Sequence, residues 1–458
     1  MKTRKWYGWV ILAGVLFSLY YVRNASYDVV YSDYIRLVNN YLPDVWNPDK
    51  FFVPDILTRI PVTYLARIVN TSLFGYSLAF DQVLGVLCLG LGAGAVTLYC
   101  VEEKISAPWF LTIMALLFSL NKWEMMVNGS GWAHFLAFAG FYYHYLVVDR
   151  VWTGREKKGD RARLLWIPWA VILGAAGQYC AVYTAVLLLA YGFMTIWKRL
   201  REKRWTREFA LPALSAAAPF ALYLWSYSYS VEDHAGMQQL SLISQLLDTP
   251  GYFARFLLKS LESLVVGVEA AQELFTGNAP YLILGFLVAA AYLLALWLQY
   301  RMRLYEESLF PLMLIAAGAM NHALILLTRW SFLIEDYGMS ARYTPQFLFG
   351  ILGILLTFAL AGRHIRAGRV WKTAVFAAFA LMFLAGNAAT TKRELHMAPY
   401  RKNACMERAQ VALDYRQKTD DELREKFEYR MNEENSGAEV RRALEILDEQ
   451  NWNVFRRR

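Results

Sequence analysis

The chain has 458 residues, of which 57% are hydrophobic, 16% are aromatic and only 19% are charged. Soluble domains carry about a quarter charged residues, so this composition excludes an ordinary soluble protein. The net charge is +9, but the basic residues lie in short loops between apolar stretches. That placement argues against a nucleic-acid partner and is typical of a polytopic membrane protein.

The apolar stretches predict an all-α integral membrane fold of about eleven transmembrane helices. In chain order the expected spans are 6–22, 78–100, 107–120, 132–149, 164–178, 180–197, 208–226, 280–299, 309–328, 343–361 and 371–390. The first span has a basic front end but no small-residue cleavage site, which predicts a retained helix and not a signal peptide. The cysteines form no CxxC pair, so a disulfide or zinc framework is not expected.

The basic loops predict how the chain is oriented in the membrane. Lys and Arg cluster at 2–5, 155–163, 198–205, 301–303 and 363–372. Because cytoplasmic loops hold the excess of Lys and Arg, the N-terminus is predicted to be cytoplasmic. An odd number of spans then places the C-terminus outside and all of these clusters on the inner side.

This topology sends two large loops, 23–77 and 227–279, to the outer side. In both loops apolar residues recur at three- and four-residue spacing, which predicts helices that lie in the membrane interface. Residues 1–391 are expected to form the polytopic transmembrane domain. Residues 392–458 are expected to form a polar helical tail on the outer side.

The opening loop begins SYDVVYSDYIRLVNNYLPDVWNP, residues 26–48, and concentrates charge just behind the first span. Ser32 can cap a helix that starts at Asp33, which would place this carboxylate at the positive end of the helix dipole. Such an ionised acid could take a proton from a hydroxyl or hold a cation. Arg36, one turn further on, can pair with Asp33 or with a phosphate. The alternative is a helix cap with a surface ion pair.

The order of these features resembles the GT-C superfamily of polytopic glycosyltransferases. In that superfamily the first outer loop carries the catalytic acid, often in an Asp-Glu-x-Arg-like run, and a large outer loop separates spans seven and eight. Here the corresponding run is Asp33-Tyr34-Ile35-Arg36, in which Tyr34 replaces the second acid, and the loop 227–279 falls in the second position. Asp28 is the alternative match for the catalytic acid.

The resemblance implies a glycosyltransferase at the outer face of a bacterial plasma membrane. The expected donor is a polyprenyl-phosphate-linked sugar, and the expected acceptor is a cell-envelope glycan, lipid or protein. Asp33, or Asp28, would be the general base of a single inverting displacement. No cofactor is expected. The oligosaccharyltransferase branch carries a metal-binding acid pair in the second outer loop, whereas this chain has only Glu124 there, so a divalent cation is not expected either.

Four further residues are predicted to bind the donor. Arg342, at the outer mouth of the tenth span, offers planar donors suited to a phosphate. Tyr343 adds an amphipathic ring at headgroup level. Lys122, in the second outer loop, could also meet the phosphate, and its neighbour Glu124 is predicted to be a substrate-binding residue as well. His322 lies inside the ninth span and is a functional candidate by its position. For Arg342 the alternative is anchoring to lipid headgroups, and for His322 it is hydrogen-bonded packing.

Two other functions stay open from the sequence. A flippase or transporter of lipid-linked glycans would show internal repeats and ionisable residues near the membrane midplane, and no repeat is visible. A polysaccharide polymerase or ligase would depend on arginines more than on an acid. Loss of Arg342 with little effect from loss of Asp33 would favour that last function.

Overall fold

Lipid offers no partner to backbone N–H and C=O groups, so long apolar segments must satisfy these groups inside their own helices. The computed structural model follows this rule. It describes residues 6–52, 61–203, 205, 207–227, 241–365, 370–429 and 435–456. Within these ranges the regular elements are helices, and no strand occurs.

The α-helices of the first half are α1 Trp6–Ala25, α2 Asp33–Tyr41, α3 Pro61–Phe74, α4 Leu78–Glu102, α5 Ala107–Leu117, α6 Trp123–Val127, α7 Trp132–Trp152, α8 Asp160–Val171, α9 Cys180–Glu202 and α10 Ala210–Tyr227. Those of the second half are α11 Leu242–Asp248, α12 Pro250–Glu262, α13 Val268–Leu274, α14 Ala279–Arg301, α15 Leu304–Glu307, α16 Phe310–Arg329, α17 Thr344–Arg363, α18 Val370–Leu413, α19 Asp420–Lys426 and α20 Ser436–Glu449.

In the described part of the chain, 8 segments are long and apolar enough to cross a membrane. They are Trp6–Ala25, Leu78–Glu102, Ala107–Val127, Cys180–Arg201, Ala279–Arg301, Phe310–Phe332, Thr344–Arg363 and Trp371–Leu413. The multi-pass helical character is thereby confirmed, but the expected count of eleven is not reached.

The other three expected spans coincide with α7, α8 and α10. α7 buries polar side chains such as His144 and Asp149 in the bundle, which lowers its hydropathy. α8 has only 12 residues and contains Pro168, which removes a backbone donor and disturbs the helix. α10 is apolar but shorter than the eight.

The centre of the bundle is the pair α16 and α17. α17 is buried on all sides. The two helices approach closely at Gly318 and Gly350, where a Cβ on Gly318 would lie 2.4 Å from the Gly350 Cα atom. Small residues at such a crossing allow two backbones to touch, as is common between membrane helices.

One end of the bundle, here called the basic end, collects the charged loops. α4 and α7 end there, where Arg150 donates to Glu102 at 2.6 Å, and Arg155 and Arg363 both pair with Glu103. The Tyr7 hydroxyl donates to the Ile105 carbonyl, so α1 begins at this end. Lys2, Arg4, Lys5, Arg366 and Arg369 lie outside the described residues. The basic clusters that are described lie together, and the membrane face they occupy stays a prediction.

The opposite end carries a second hydrophobic cluster, here called the cap, built from α2, the last turns of α18, α19 and α20. Val38, Tyr41, Ala409, Leu423 and Leu444 are among its buried members. α18 runs from Val370 to Leu413 without a break, so the expected tail boundary at residue 392 falls inside a helix. The tail packs on the opening loop.

Candidate functional site

Asp33 is the first residue of α2, as the sequence suggests, but the helix start is built differently. Ser32 has φ of 51° and its side chain makes no capping hydrogen bond, which corrects the expectation that Ser32 caps α2. Its backbone N–H instead donates to the Phe427 carbonyl at 2.8 Å, so the cap holds this turn in place. The Asp33 side chain is half-buried, and it has no hydrogen bond or ion pair to the described residues.

Arg342 and Glu124 form an ion pair with each other. The Arg342 Nη2 atom donates to Glu124 Oε1 at 2.5 Å, and Ser340 Oγ donates to Glu124 Oε2 at 3.2 Å. Arg342 lies in the turn before α17 and is 50% exposed, whereas Glu124, on α6, is 23% exposed. A planar guanidinium with free surface is therefore held by a carboxylate that is more deeply placed.

Asp33 lies in the electric field of this pair. Burial alone would lower the pKa of Arg342, but the charge of Glu124, with a smaller contribution from Asp33, raises it. Asp33, Glu124 and Arg342 come from α2, α6 and the α16–α17 turn. We call them the Asp33 cluster.

The cap contacts the turn that carries Asp33. The Arg408 guanidinium, on α18, lies 4.3 Å from the centre of the Tyr31 ring and pairs with Glu428 at 2.5 Å. Tyr31 is two residues before Asp33, and the Glu124 charge is among the causes, after burial, that raise the pKa of Tyr31. The tail therefore contributes to the surroundings of the cluster.

Asp28, the alternative catalytic acid, is already saturated with donors. It accepts from Ser77 Oγ at 2.7 Å, from the Leu78 N–H at 2.6 Å and from Asn453 Nδ2 at 3.2 Å. Leu78 is the first residue of α4, so Asp28 caps that helix and ties the end of the chain to it. This environment suits a structural carboxylate better than a base that must receive a proton.

Lys122 does not face the cluster. It is 1% exposed, and its Nζ atom donates to the carbonyls of Leu116 and Ser119 at 3.2 and 2.7 Å and to Ser119 Oγ at 3.3 Å. The last carbonyls of a helix have no partner within it, and Lys122 fills this need at the end of α5. The contact of Lys122 with a phosphate stays a prediction, and these hydrogen bonds would have to break for it to form.

Arg36, Tyr343 and His322 are packed inside the protein. Arg36 is 7% exposed, Tyr343 6% and His322 2%. Arg36 lies within the cap near Tyr429, and the Tyr343 hydroxyl accepts from Arg329 Nε at 3.2 Å. A substrate would have to displace buried neighbours to reach these side chains, and their assignment as binding residues stays a prediction.

His322 takes the packing role that the sequence left open for it. Its Nδ1 atom hydrogen-bonds Ser260 Oγ at 2.5 Å, and its ring stacks on Phe347 with centroids 3.8 Å apart. Ser260 lies on α12, so the histidine joins α12, α16 and α17 in the interior of the bundle.

Asp81 is a polar residue that the sequence analysis missed. It is buried in the first turn of α4 and accepts from the Tyr34 hydroxyl at 2.6 Å and from Asn70 Nδ2 at 3.4 Å. Arg67, His134 and these side chains line a small chamber beneath α2. The sequence did contain a signal for Asp81, because an acid inside an apolar span is a functional candidate by its position.

Glu262 was missed as well, and no pattern in the sequence marks it. It ends α12, is fully buried, and has no hydrogen-bond partner for either carboxylate oxygen among the described residues. Burial, with a smaller contribution from Asp336, raises the pKa of Glu262 to about 9.

The Asp33 cluster combines a half-buried carboxylate with an accessible guanidinium. This combination can accept a proton at one point and hold an anion at another. Among the described residues no group of three or more His, Cys, Asp or Glu side chains is placed to hold a metal ion. Comparisons with protein-family models, curated proteins and solved structures found no match for this chain.

Proposed function

We propose that the chain is an integral-membrane glycosyltransferase of the GT-C type. It would move a sugar from a polyprenyl-phosphate-type donor to a cell-envelope glycan, lipid or protein acceptor at the outer face of a bacterial plasma membrane. The observation that carries the proposal is the ion pair between Glu124 and Arg342, with Asp33 near enough for its charge to act on Arg342. These residues lie at the end of the bundle away from the basic loops, which is the outer end under the positive-inside rule.

Asp33 is the general base in this proposal. Its carboxylate takes the proton of the acceptor hydroxyl as the acceptor oxygen attacks the anomeric carbon. The bond between that carbon and the phosphate oxygen breaks at the same time, and polyprenyl phosphate leaves with the electron pair. Attack from the face opposite the leaving group inverts the anomeric centre. Asp33 is suited to this role because no described donor occupies it, in contrast to Asp28.

Arg342 holds the departing phosphate. Among the described residues, Glu124 is the hydrogen-bond partner of Arg342, and only the Nη2 atom of Arg342 donates to it. A guanidinium has five N–H donors. The phosphate can therefore bind to the Nε and Nη1 side while Glu124 keeps the group oriented. Glu124 is then a positioning residue, and the cation it holds offsets the charge that grows on the phosphate during transfer.

The test is a transfer assay in lipid vesicles that contain the purified full-length chain. Synthetic undecaprenyl-phosphate-linked glucose, mannose, galactose and arabinose serve as probes, with cell-envelope extract as the acceptor source, and released undecaprenyl phosphate is the readout. Loss of a general base costs about 10²- to 10⁴-fold, and we expect a loss in this range for Asp33→Asn. The matched control is Asp44→Asn, an exposed acid in the same loop, which should retain activity.

Three outcomes would contradict the proposal. Full activity of Asp33→Asn would remove the base assignment. Movement of intact lipid-linked sugar across the vesicle, without cleavage, would identify a flippase. Glycan elongation that needs Arg342 and tolerates Asp33→Asn would identify a polymerase or ligase.

A further inference from the structure

A groove opens beside the cap, on a different face from the Asp33 cluster. Its volume is about 810 Å³, within the range of about 300 to 1,000 Å³ that is usual for ligand pockets. The described residues that line it come from the end of α1, the start of α4, the second half of α18 and the C-terminal segment around Asn453.

The wall of the groove on the bundle side is mainly apolar, with Ser26 and Gln82 as its polar members. Leu19 and Val22 of α1 face Ala79 and Val83 of α4 across it. The exposed apolar faces of both helices continue from the groove toward the basic end, through Tyr20, Leu16 and Leu12 on α1 and Leu87 and Leu91 on α4. A hydrocarbon chain lying in the groove would continue along this strip.

The rim of the groove beyond this apolar wall is cationic. It carries Arg23, Lys402 and Arg456. Lys402 Nζ donates to the Arg23 carbonyl and Arg456 Nη1 to the Phe74 carbonyl, both at 3.1 Å, which leaves further donors on each side chain. None of the three forms an ion pair with a described residue. Asp28 is the carboxylate among the described lining residues, and three donors already occupy it.

The cations lie at the depth of a lipid headgroup. Arg23 is in the last turn of α1, a helix of 20 residues, and such a helix is about 30 Å long, the thickness of the hydrocarbon core. The rim therefore falls where the apolar span ends and the phosphates of a bilayer begin.

We infer that this groove binds an anionic phospholipid. One acyl chain lies along α1 and α4, and the phosphate is held by Arg23, Lys402 and Arg456. The site is separate from the Asp33 cluster, because Arg401 and Arg408 point from another side of α18, toward Trp123 and Tyr31. The inference does not depend on the proposed glycosyltransferase activity.

The experiment measures lipid retention by the purified full-length chain, using native mass spectrometry during titration from detergent. The probes are dioleoylphosphatidylglycerol, dioleoylphosphatidylcholine and inorganic phosphate. The test variant combines Arg23→Gln, Lys402→Gln and Arg456→Gln. The control combines Lys392→Gln, Arg416→Gln and Arg442→Gln, which removes the same charge from exposed positions outside the groove.

Each basic residue near an anionic surface contributes roughly fivefold, so we expect the test variant to bind phosphatidylglycerol at least about tenfold more weakly. The control should bind as the unchanged protein does, and phosphatidylcholine should bind less tightly than phosphatidylglycerol. Ala79→Trp, which fills the groove and leaves the charges, should also weaken binding of phosphatidylglycerol.

Three results would overturn the inference. One is equal loss in the test and control variants, which would show a general effect of charge. Another is unchanged lipid binding by the Ala79→Trp variant, provided that this variant still elutes as folded protein. That result would show that the acyl chain of the lipid lies outside the groove. The third is binding of inorganic phosphate as tight as that of the lipid, which would identify a site for a free anion.

Discussion

At the basic end of the bundle, buried acids are surrounded by donors, whereas at the opposite end Asp33 and Glu262 have none among the described residues. Asp149 illustrates the first environment. It accepts from Ser308 Oγ at 2.8 Å, from the N–H groups of Leu309 and Phe310 at 2.6 and 3.0 Å, and it pairs with Arg155 at 3.2 Å. At the basic end, the hydrogen bonds and ion pairs of acids such as Asp149 connect neighbouring helices.

The number of hydrogen-bond donors around an acid distinguishes structural from reactive acids better than the residue type does. A carboxylate that already accepts several hydrogen bonds has its oxygens occupied, and a reacting hydroxyl would have to displace one of those donors. One without donors is free to receive a proton or a ligand. By this criterion Asp28 belongs with Asp149, although it lies only five residues from Asp33 in the sequence.

The largest expected effect on stability is at the basic end. Asp149→Ala removes the cap of α16 and leaves the N–H groups of Leu309 and Phe310 without their acceptor, while Arg155 keeps its pair with Glu103. Breaking such a buried network costs about 3 kcal/mol, so we expect a large fall in thermal stability in detergent, followed by fluorescence-detected size exclusion. Glu156→Gln is the control, since its pair with Arg161 is exposed and such surface pairs add little to stability. Equal effects of the two changes would remove the distinction between the two ends.

A smaller effect, on activity and not on folding, is expected at Arg342. Arg342→Lys keeps the charge but loses the planar set of donors, so we expect the KM for the undecaprenyl-phosphate probe to rise by about tenfold, the effect of losing roughly one charge-assisted hydrogen bond. Because Arg342 is half-exposed, thermal stability should hardly change. Arg201→Lys is the control, because Arg201 is similarly exposed and pairs with Glu306 at the basic end. A fall in stability with unchanged KM would make Arg342 a structural residue.

The pH dependence of stability should expose the unpartnered acid Glu262. Its pKa is raised from 4.5 to about 9 in the folded protein, so between these values the folded state holds a proton that the unfolded state has lost. Stability from this group is therefore fully present below pH 4.5 and declines as the pH rises toward 9.

Glu262→Gln mimics the protonated form and should stabilise the protein at pH 8 by at least about 1 kcal/mol, the equivalent of one pKa unit. At pH 5 it should have little effect. Melting curves at the two pH values measure the difference, and Glu273→Gln, an exposed acid on α13, is the control. Stabilisation of the same size at both pH values would contradict this account of Glu262.

The sequence predicts what depends on local pattern. Hydropathy located the apolar helices, and the basic loops do lie together at one end. It could not predict that Lys122 would be drawn inward to the open carbonyls of α5, because that depends on where α5 ends in space. It could not separate Asp28 from Asp33 either, since the donors to Asp28 include Asn453, 425 residues further along the chain.

The smallest expected effect tests directly whether Asp28 is structural and Asp33 is the reactive acid. Asp28→Asn keeps one acceptor oxygen but turns an amide N–H₂ toward donors, so we expect about 1 kcal/mol of lost stability, the usual contribution of one hydrogen bond. Released undecaprenyl phosphate per folded molecule should stay unchanged. Asn453→Ala is the matched variant, because it removes a partner of Asp28 and leaves the acid. If Asp28→Asn abolished transfer while Asn453→Ala did not, Asp28 would be the base, and freedom from donors would be the wrong criterion for the reactive acid in this fold.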